Sequence, residues 1–488
     1  MSIGSALAIA SSGLANVTAQ LAVVSQNVSN ANTAGYTKEV GQQTAASSGN
    51  LELGVRTGVT VRSVDAALQA ESWQQNATVA ALTVNANALS AIDAAQGTPG
   101  AGTDLASLTG ALKDAFSTLA ANPSSSSGQQ AVVTAAKALA GGINTVAQAI
   151  GTERQNAGDA VSQDAAALDK ALAGIGTLSA QIASLKQQNI STAALEDQRD
   201  AAMGTVANLT GAHFSTLADG SIQVILPSGL TLPTDGSADL AVSSATLSPE
   251  AAAPALTLNG KDVTSLLTGG EIGANLTLRD TTLPTFQAEL DEFSHDLAGR
   301  FSAAGLDLFT DNGSPVAAAA TSGPVQAGYV GLADRITVNP AVAAMPSLVQ
   351  SGTSGTGGGA SDQTTIDAVL NQACGAAGAT TAPAASAQGL GLSGTLSAGF
   401  AIPGTLAGFA SALVSAQSAA STAAADALSA AQAVQTTLNS KVAAVSGVSV
   451  DAEMSTMVGL QNAYGANARV LTAVQQMWTD LLNIGTGA

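Results

Sequence analysis

Two histidines, one cysteine and one dense group of acids are the residues of this chain whose chemistry could go beyond packing. His213 and His295 stand in no metal-ligand spacing, and no H-E-x-x-H, P-loop or G-x-S-x-G occurs. His295 shares a helical pattern with Phe293, Leu297 and Phe301, which reads as a structural histidine rather than a base. His213 opens a strand-like stretch and has no evident partner. Glu196, Asp197, Arg199 and Asp200 form the densest charged group. On a helix Glu196 and Arg199 stand three apart, so a surface ion pair is expected. Asp311-Asn312-Gly313 is a turn that lacks the further ligands of a calcium loop. Cys374 is alone, so it can form neither an intramolecular disulfide nor a cysteine-based zinc site. The expectation is a chain with no catalytic residues, no metal and no cofactor.

The elements that carry these residues follow from composition and periodicity. A chain of 488 residues suggests two to four domains. Apolar residues make up 46 % of it, but aromatics only 3 % and charged residues 10 %. Much of the apolar share is alanine, which buries little area per residue. Long helices packed closely side by side suit that composition better than a bulky core. The net charge of −19 argues against nucleic acid and anionic membrane surfaces as partners, since both demand a basic face.

Residues 3–28 carry the clearest repeat. Ile3, Leu7, Ala10, Leu14, Val17, Leu21, Val24 and Val28 alternate steps of four and three, a heptad seam for packing against another helix. Its flanking positions are Ser, Asn, Gln and Thr rather than Glu and Lys. Gly4 and Gly13 each cost roughly 1 kcal/mol relative to Ala. Two readings stay open: a helix docked on its own domain, or a segment that becomes helical only among neighbouring subunits. A second seam runs through Val450, Met454, Met457, Gln461, Tyr464, Ala468, Leu471, Gln475, Trp478 and Leu482. It follows a break at Ser446-Gly447 and carries Asp451 and Glu453 in its first turn. The two seams suggest a pair that packs together.

Between them, helical patterns cover 68–92, 105–119, 131–150, 161–185 and 413–445, with a stop at Asn122-Pro123. Residues 214–232 alternate as strands around Ala218-Asp219-Gly220 and Pro227-Ser228-Gly229. Leu256 to Leu258 adds a short strand closed by Asn259-Gly260. Helix resumes over 284–301, and 352–359 reads as a Gly/Ser/Thr linker. The expected fold is mainly α with an inserted small β-rich domain. The N- and C-terminal helices pair as a coiled coil, a long helical-bundle shaft comes next, and the β insertion lies in the middle. The expected division is 1–38 with 447–488 as the terminal assembly domain, 39–204, 269–310 and 400–446 as the shaft, 205–268 as the β-rich insertion, and 311–399 as a low-complexity, irregular outer segment.

Directly after the first seam stands Ser29-Asn30-Ala31-Asn32-Thr33-Ala34-Gly35-Tyr36-Thr37. Gly35 can take the left-handed conformation that ends a helix, and Tyr36 would anchor the chain as it turns outward. This phrase resembles the N-terminal signature of bacterial flagellar rod, hook and hook-associated axial proteins. The stretch 446–454, with Gln461-Asn462-Ala463-Tyr464, Ala468-Arg469-Val470-Leu471 and Leu481-Leu482-Asn483-Ile484, is similar to the C-terminus of hook-associated junction subunits; Ala452 departs from their usual acidic residue. Leu195-Glu196-Asp197-Gln198-Arg199-Asp200 and Gly269-Gly270-Glu271-Ile272-Gly273-Ala274 with Leu278-Arg279-Asp280 resemble interior phrases of the same group. The stretch from about 310 to 400 matches it poorly.

The resemblance implies a structural subunit at the junction of hook and filament, needed for filament assembly and not an enzyme. It would be exported by the flagellar type III apparatus and reside outside the cell in the flagellum, with no cleaved signal peptide. The implied partners are itself in a ring or helical tube, hook protein, a second junction protein on the filament side, and an export chaperone on the C-terminal helix. The implied assembly residues are Ile3, Leu7, Leu14, Val17, Leu21, Val24, Val28, Asn32, Gly35, Tyr36, Val450, Met454, Met457, Tyr464, Leu471, Trp478 and Leu482. The rival readings are a hook or rod axial subunit, which the helical stretch 68–200 argues against, and a secreted adhesin or binding module using the β insertion.

Overall fold

In the computed structural model, residues 3–48, 51–98, 100–353, 362–375 and 385–486 are described. Most of the linker-like stretch 352–359 therefore lies outside the described residues. The chain forms two compact units, Met1–Thr78 with Ala167–Asp239 and Ala431–Ala488, and Val79–Ala166 with Leu240–Ala430.

The first unit begins with helix α1 (Ile3–Asn30) and an antiparallel hairpin, β1 (Glu39–Ser48) and β2 (Leu51–Arg62). The helical shaft was expected to start at residue 39, so this hairpin is new information. Its strands read Glu-Val-Gly-Gln-Gln-Thr and Val-Arg-Thr-Gly-Val-Thr-Val, too polar and too glycine-rich for a clean period-2 signal. The unit also holds the start of α2 (Ala66–Gln96), the end of α4 (Ser126–Gln187), and α5 (Ala193–Thr210). Strands β3 (His213–Thr216), β4 (Ile222–Ile225) and β5 (Thr231–Leu232) make one sheet. Leu168, Leu172, Ile175, Met203, Val206, Ile222 and Val224 are buried here, and Trp73 meets Phe214 edge-on at 5.3 Å. The end of α8 (Leu406–Ser446) and the whole of α9 (Val450–Thr486) complete it.

Helix α4 is one helix of 62 residues, where the periodicity suggested two, 131–150 and 161–185. Gly141, Gly142 and Gly151 do not break it. Ile143, Val146, Ile150, Ala157, Val161 and Leu168 keep one face buried throughout, and burial outweighs roughly 1 kcal/mol per glycine. The stretch 205–268 contains two small sheets. The second, of β6 (Leu240–Val242), β7 (Leu256–Leu258) and β8 (Lys261–Asp262), belongs to the second unit. Asn259 and Gly260, both at positive φ, close the β7–β8 turn as their types require.

The second unit packs α3 (Leu105–Ala120) and part of α4 with α6 (Gly270–Thr277) and α7 (Leu283–Ala303). Phe116, Phe301 and Phe309 form one chain of ring contacts, and Phe293, Phe409 and Phe400 another. Helix α7 is buried around nearly its whole circumference. Its acids serve as acceptors for irregular backbone. Asp291 accepts the N–H groups of Gly331 and Ala333 at 2.7 and 2.8 Å. Glu292 accepts the Tyr329 hydroxyl and the Ser386 N–H, and Glu289 accepts the Gly399 N–H and the Gln417 amide. Buried N–H groups outside regular structure need such partners. The described parts of the irregular segment 311–399 are thus fastened to α7. His295 is buried and stacked on Tyr329 with ring centres 4.0 Å apart, and burial lowers its pKa. Burial also pushes the Cys374 thiol up to about 11. Among the described residues no group of three or more His, Cys, Asp and Glu side chains could hold a metal.

Candidate assembly interface

Helices α1 and α9 pack against each other in antiparallel fashion, Asn27 beside Glu453 and Gly13 beside Asn467. The polar flanks of α1 find their purpose in the hairpin. Asn16 donates to Gln43 at 2.7 Å and accepts from the Thr57 hydroxyl at 3.3 Å. Gln20 also donates to Gln43, and Ser12 accepts the Val55 N–H. Gly54 has φ +108°, and a Cβ there would run into the Ser12 hydroxyl. An uncharged helix with amides at these positions can lie on a polar ribbon without burying charge. By length and composition alone Gly4–Asn30 could cross a membrane. In the structure its amides are instead bonded to hairpin and partner helix.

At the end of α1 the chain makes a compact polar knot. Gly35 has φ +78° with open space around a Cβ, so the left-handed backbone is what calls for glycine. The Tyr36 hydroxyl donates to Asn27 Oδ1 at 2.8 Å, and the Glu39 N–H donates to the same oxygen at 2.9 Å. Asn27 Nδ2 donates in turn to the Glu39 carbonyl and to Glu453. This amide is 1 % exposed and makes four hydrogen bonds, the most a single Asn side chain is ordinarily asked to make. Glu453, also buried, pairs with Lys38 at 2.8 Å, and the Lys38 N–H donates to the Ser446 carbonyl. Burial, with Glu39, Asp197 and Glu453 nearby, pushes the Tyr36 phenol above its ordinary range.

The acidic group of α5 meets the same knot. Arg62 of β2 binds Glu196, Asp197 and Asp200 at 3.1, 2.8 and 2.7 Å. Thr37 donates its N–H and hydroxyl to Asp197, at 3.2 and 2.6 Å. Glu196 pairs with Lys186 as well. The expected Glu196–Arg199 pair is corrected. Arg199 donates to the Gly220 carbonyl instead, because a largely buried guanidinium at Arg62 draws all three carboxylates toward β2. Burial opposes the charge on Arg62, but Asp200 and Asp197 more than offset it and hold its pKa high. Three of the phrases that carried the resemblance (29–37, 195–200 and 446–454) therefore meet at one place.

The positions expected to mediate assembly divide into three groups. Val17 and Val24 are buried, while Leu14, Leu21, Val28, Tyr36, Met457 and Leu471 are half-buried. Leu7, Asn32, Gly35, Val450, Met454, Tyr464, Trp478 and Leu482 are exposed. The Ile3 side chain lies outside the described residues. On α9 the covered stripe is Glu453, Met457, Leu460, Asn467, Leu471 and Val474, rotated from the seam read in the sequence. One partner helix covers only part of the circumference, so Val450, Met454, Val458 and Tyr464 remain 44–55 % exposed on another side. The sequence reading did not single out Asn27, Lys38 or Arg62, and took Glu453 only as a first-turn carboxylate of the last helix. An Asn one residue from a heptad position, in a helix without charge, was the available signal.

Comparison with known proteins agrees with this organisation. Residues 89–316 match the profile of the flagellar hook-associated protein FlgK helical domain. Residues 441–484 match the flagellar basal body rod FlgEFG protein C-terminal family, and residues 7–37 match the flagella basal body rod protein family. Among solved structures the chain is similar to the flagellar hook junction protein FlgK from Burkholderia pseudomallei, at 24 % identity and a TM-score of 0.43. That match covers 50 % of this chain and 45 % of that one. A search of curated proteins finds no match. With the FlgK helical-domain profile in the interior and rod-family profiles on the first and last helices, the chain is similar to flagellar hook-associated proteins of the FlgK type.

Proposed function

We propose that this protein is a structural subunit of the junction between flagellar hook and filament, without a catalytic role, and that it assembles through α1 and α9. The observation that carries this reading is the helical-domain match over 89–316 in a chain whose first and last helices pair but leave an apolar side of α9 open. Neighbouring copies covering that side would bury apolar area, the driving term for association. Hook protein below and a second junction protein above are the proposed axial partners. The subunit reaches the outside of the cell through the flagellar type III apparatus. Before assembly, an export chaperone shields the exposed side of α9.

Deleting the gene tests the reading. Electron microscopy of the deletion strain should show bare hooks, with filament subunits lost into the medium and detected there by immunoblot. Cells without hooks would instead indicate a hook or rod subunit. Normal filaments would overturn the junction role.

A further inference from the structure

The outer face of the hairpin carries a second apolar patch. Val40 pairs across the strands with Val61, and Val59 lies two residues along on the same face. The opposite face, with Gly41 and Gln43, is the one turned to α1. Val40, Val59 and Val61 are 38–41 % exposed, and Ile190 beside them is 49 % exposed. Val59, Val61 and Ile190 line a groove of about 290 Å³ whose rim includes Lys186 and its ion-pair partner Glu196. Arg56 is exposed and makes no ion pair among the described residues. The last turns of α9 have the complementary character. Met477, Trp478 and Leu481 are 50–55 % exposed, with Asp480 among them.

These two surfaces cannot meet within one chain. Gly41 lies beside Gln20 and Val23 of α1, whereas the antiparallel register sets Met477 beside Ile3. Some 17 to 20 helical residues separate the two levels, about 25–30 Å along the axis. We propose that the end of α9, through Trp478 and Leu481, docks on the valine face of the hairpin of a second copy, with Asp480 facing Arg56 and Lys186. The proposal rests on self-assembly as stated above. It joins two different patches in a heterologous contact, and repetition of such a contact produces a ring or a helical tube rather than a closed dimer. The charges favour this pairing over patch-to-like-patch contacts, which would set Arg56 against Arg56 or Asp480 against Asp480.

Two differently tagged full-length chains, both C374A, one V59C and the other L481C, should be expressed together in the deletion strain. After mild oxidation of isolated hooks with their junctions, a mixed-tag disulfide dimer is expected well above either same-tag dimer, since the bond requires Cβ atoms about 4 Å apart. Junctions that support filaments but give no mixed dimer would overturn the docking while leaving the junction role intact. Charge exchange gives a second readout that does not depend on cysteine. R56D and D480R should each lower filament attachment several-fold, and one chain carrying both should recover it. No loss from either change, or no recovery in the double variant, would also overturn the proposal.

Discussion

Helices α7 and α9 each show an amphipathic pattern, yet their surroundings differ. Helix α7 is covered on all sides by its own chain, and its acids are supplied with backbone and side-chain donors. Helix α9 is covered along one stripe by α1, and keeps Val450, Met454, Val458, Trp478 and Leu481 about half exposed. The first is a completed core element. The second carries more apolar surface than its own chain covers, as expected of a surface that buries area only in an assembly. On the proposed function, the contrast assigns stability and assembly to different helices.

Truncation should separate the two helices most sharply. Phe293→Ala in α7 removes a ring packed edge-on against Phe409 and should cost about 3–5 kcal/mol in urea unfolding. Trp478→Ala in α9 should change stability by less than about 0.5 kcal/mol while abolishing filament attachment. Comparable destabilisation by both would erase the distinction.

Within the first unit, Arg62→Met leaves Glu196, Asp197 and Asp200 facing one another. A loss of about 3 kcal/mol is expected, followed through the fluorescence of Trp73 in the same unit. Asn27→Ala removes the acceptor for Tyr36 and Glu39 and should cost about 1–3 kcal/mol. Its signature is faster proteolysis of α1 and α9 with α7 unchanged. Equal acceleration in α7 would mean that the knot does not act locally.

The smallest effect contrasts the units by pH. Burial and the nearby Glu271 raise the pKa of Asp164, in the second unit, to about 6. Between pH 4 and 6 the unfolded chain ionises this group while the folded chain holds its proton, so its contribution to stability falls as pH rises. Asp164→Asn should flatten that fall by about 1 kcal/mol, seen in thermal melts at pH 4 and 7. Glu196, in the first unit, has the opposite sign. Burial works against its charge, but Lys186, Thr192 and Arg62 more than compensate and lower its pKa. Its contribution is present above the ordinary carboxylate pKa and is lost as pH falls through the lowered value. Glu196→Gln should therefore weaken the first unit at neutral pH and leave acid stability nearly unchanged.

Local physics made much of this protein readable. The heptad steps from Leu7 to Val28, the stop at Asn122-Pro123 and the Asn259-Gly260 turn depend on neighbours a few residues apart. Each appears in the structure as helix, helix end and hairpin turn. Gly35 was legible for the same reason, since its requirement is a backbone angle. The β1–β2 hairpin was not, because its strands are held by Asn16 and Gln20 of α1 rather than by an alternating pattern of their own.

Other outcomes depended on residues far apart in the chain. The covered stripe of α9 was rotated because Asn27 takes Glu453 as partner, a choice between residues 426 apart that no periodicity encodes. The convergence of Thr37, Arg62 and Asp197 has the same origin. By itself the sequence determined where most of the long helices lie and which backbone turns need glycine, because those are local steric and hydrogen-bonding requirements. Only the tertiary structure decided which polar groups are buried together and which apolar faces stay uncovered, because burial depends on what the rest of the chain brings alongside.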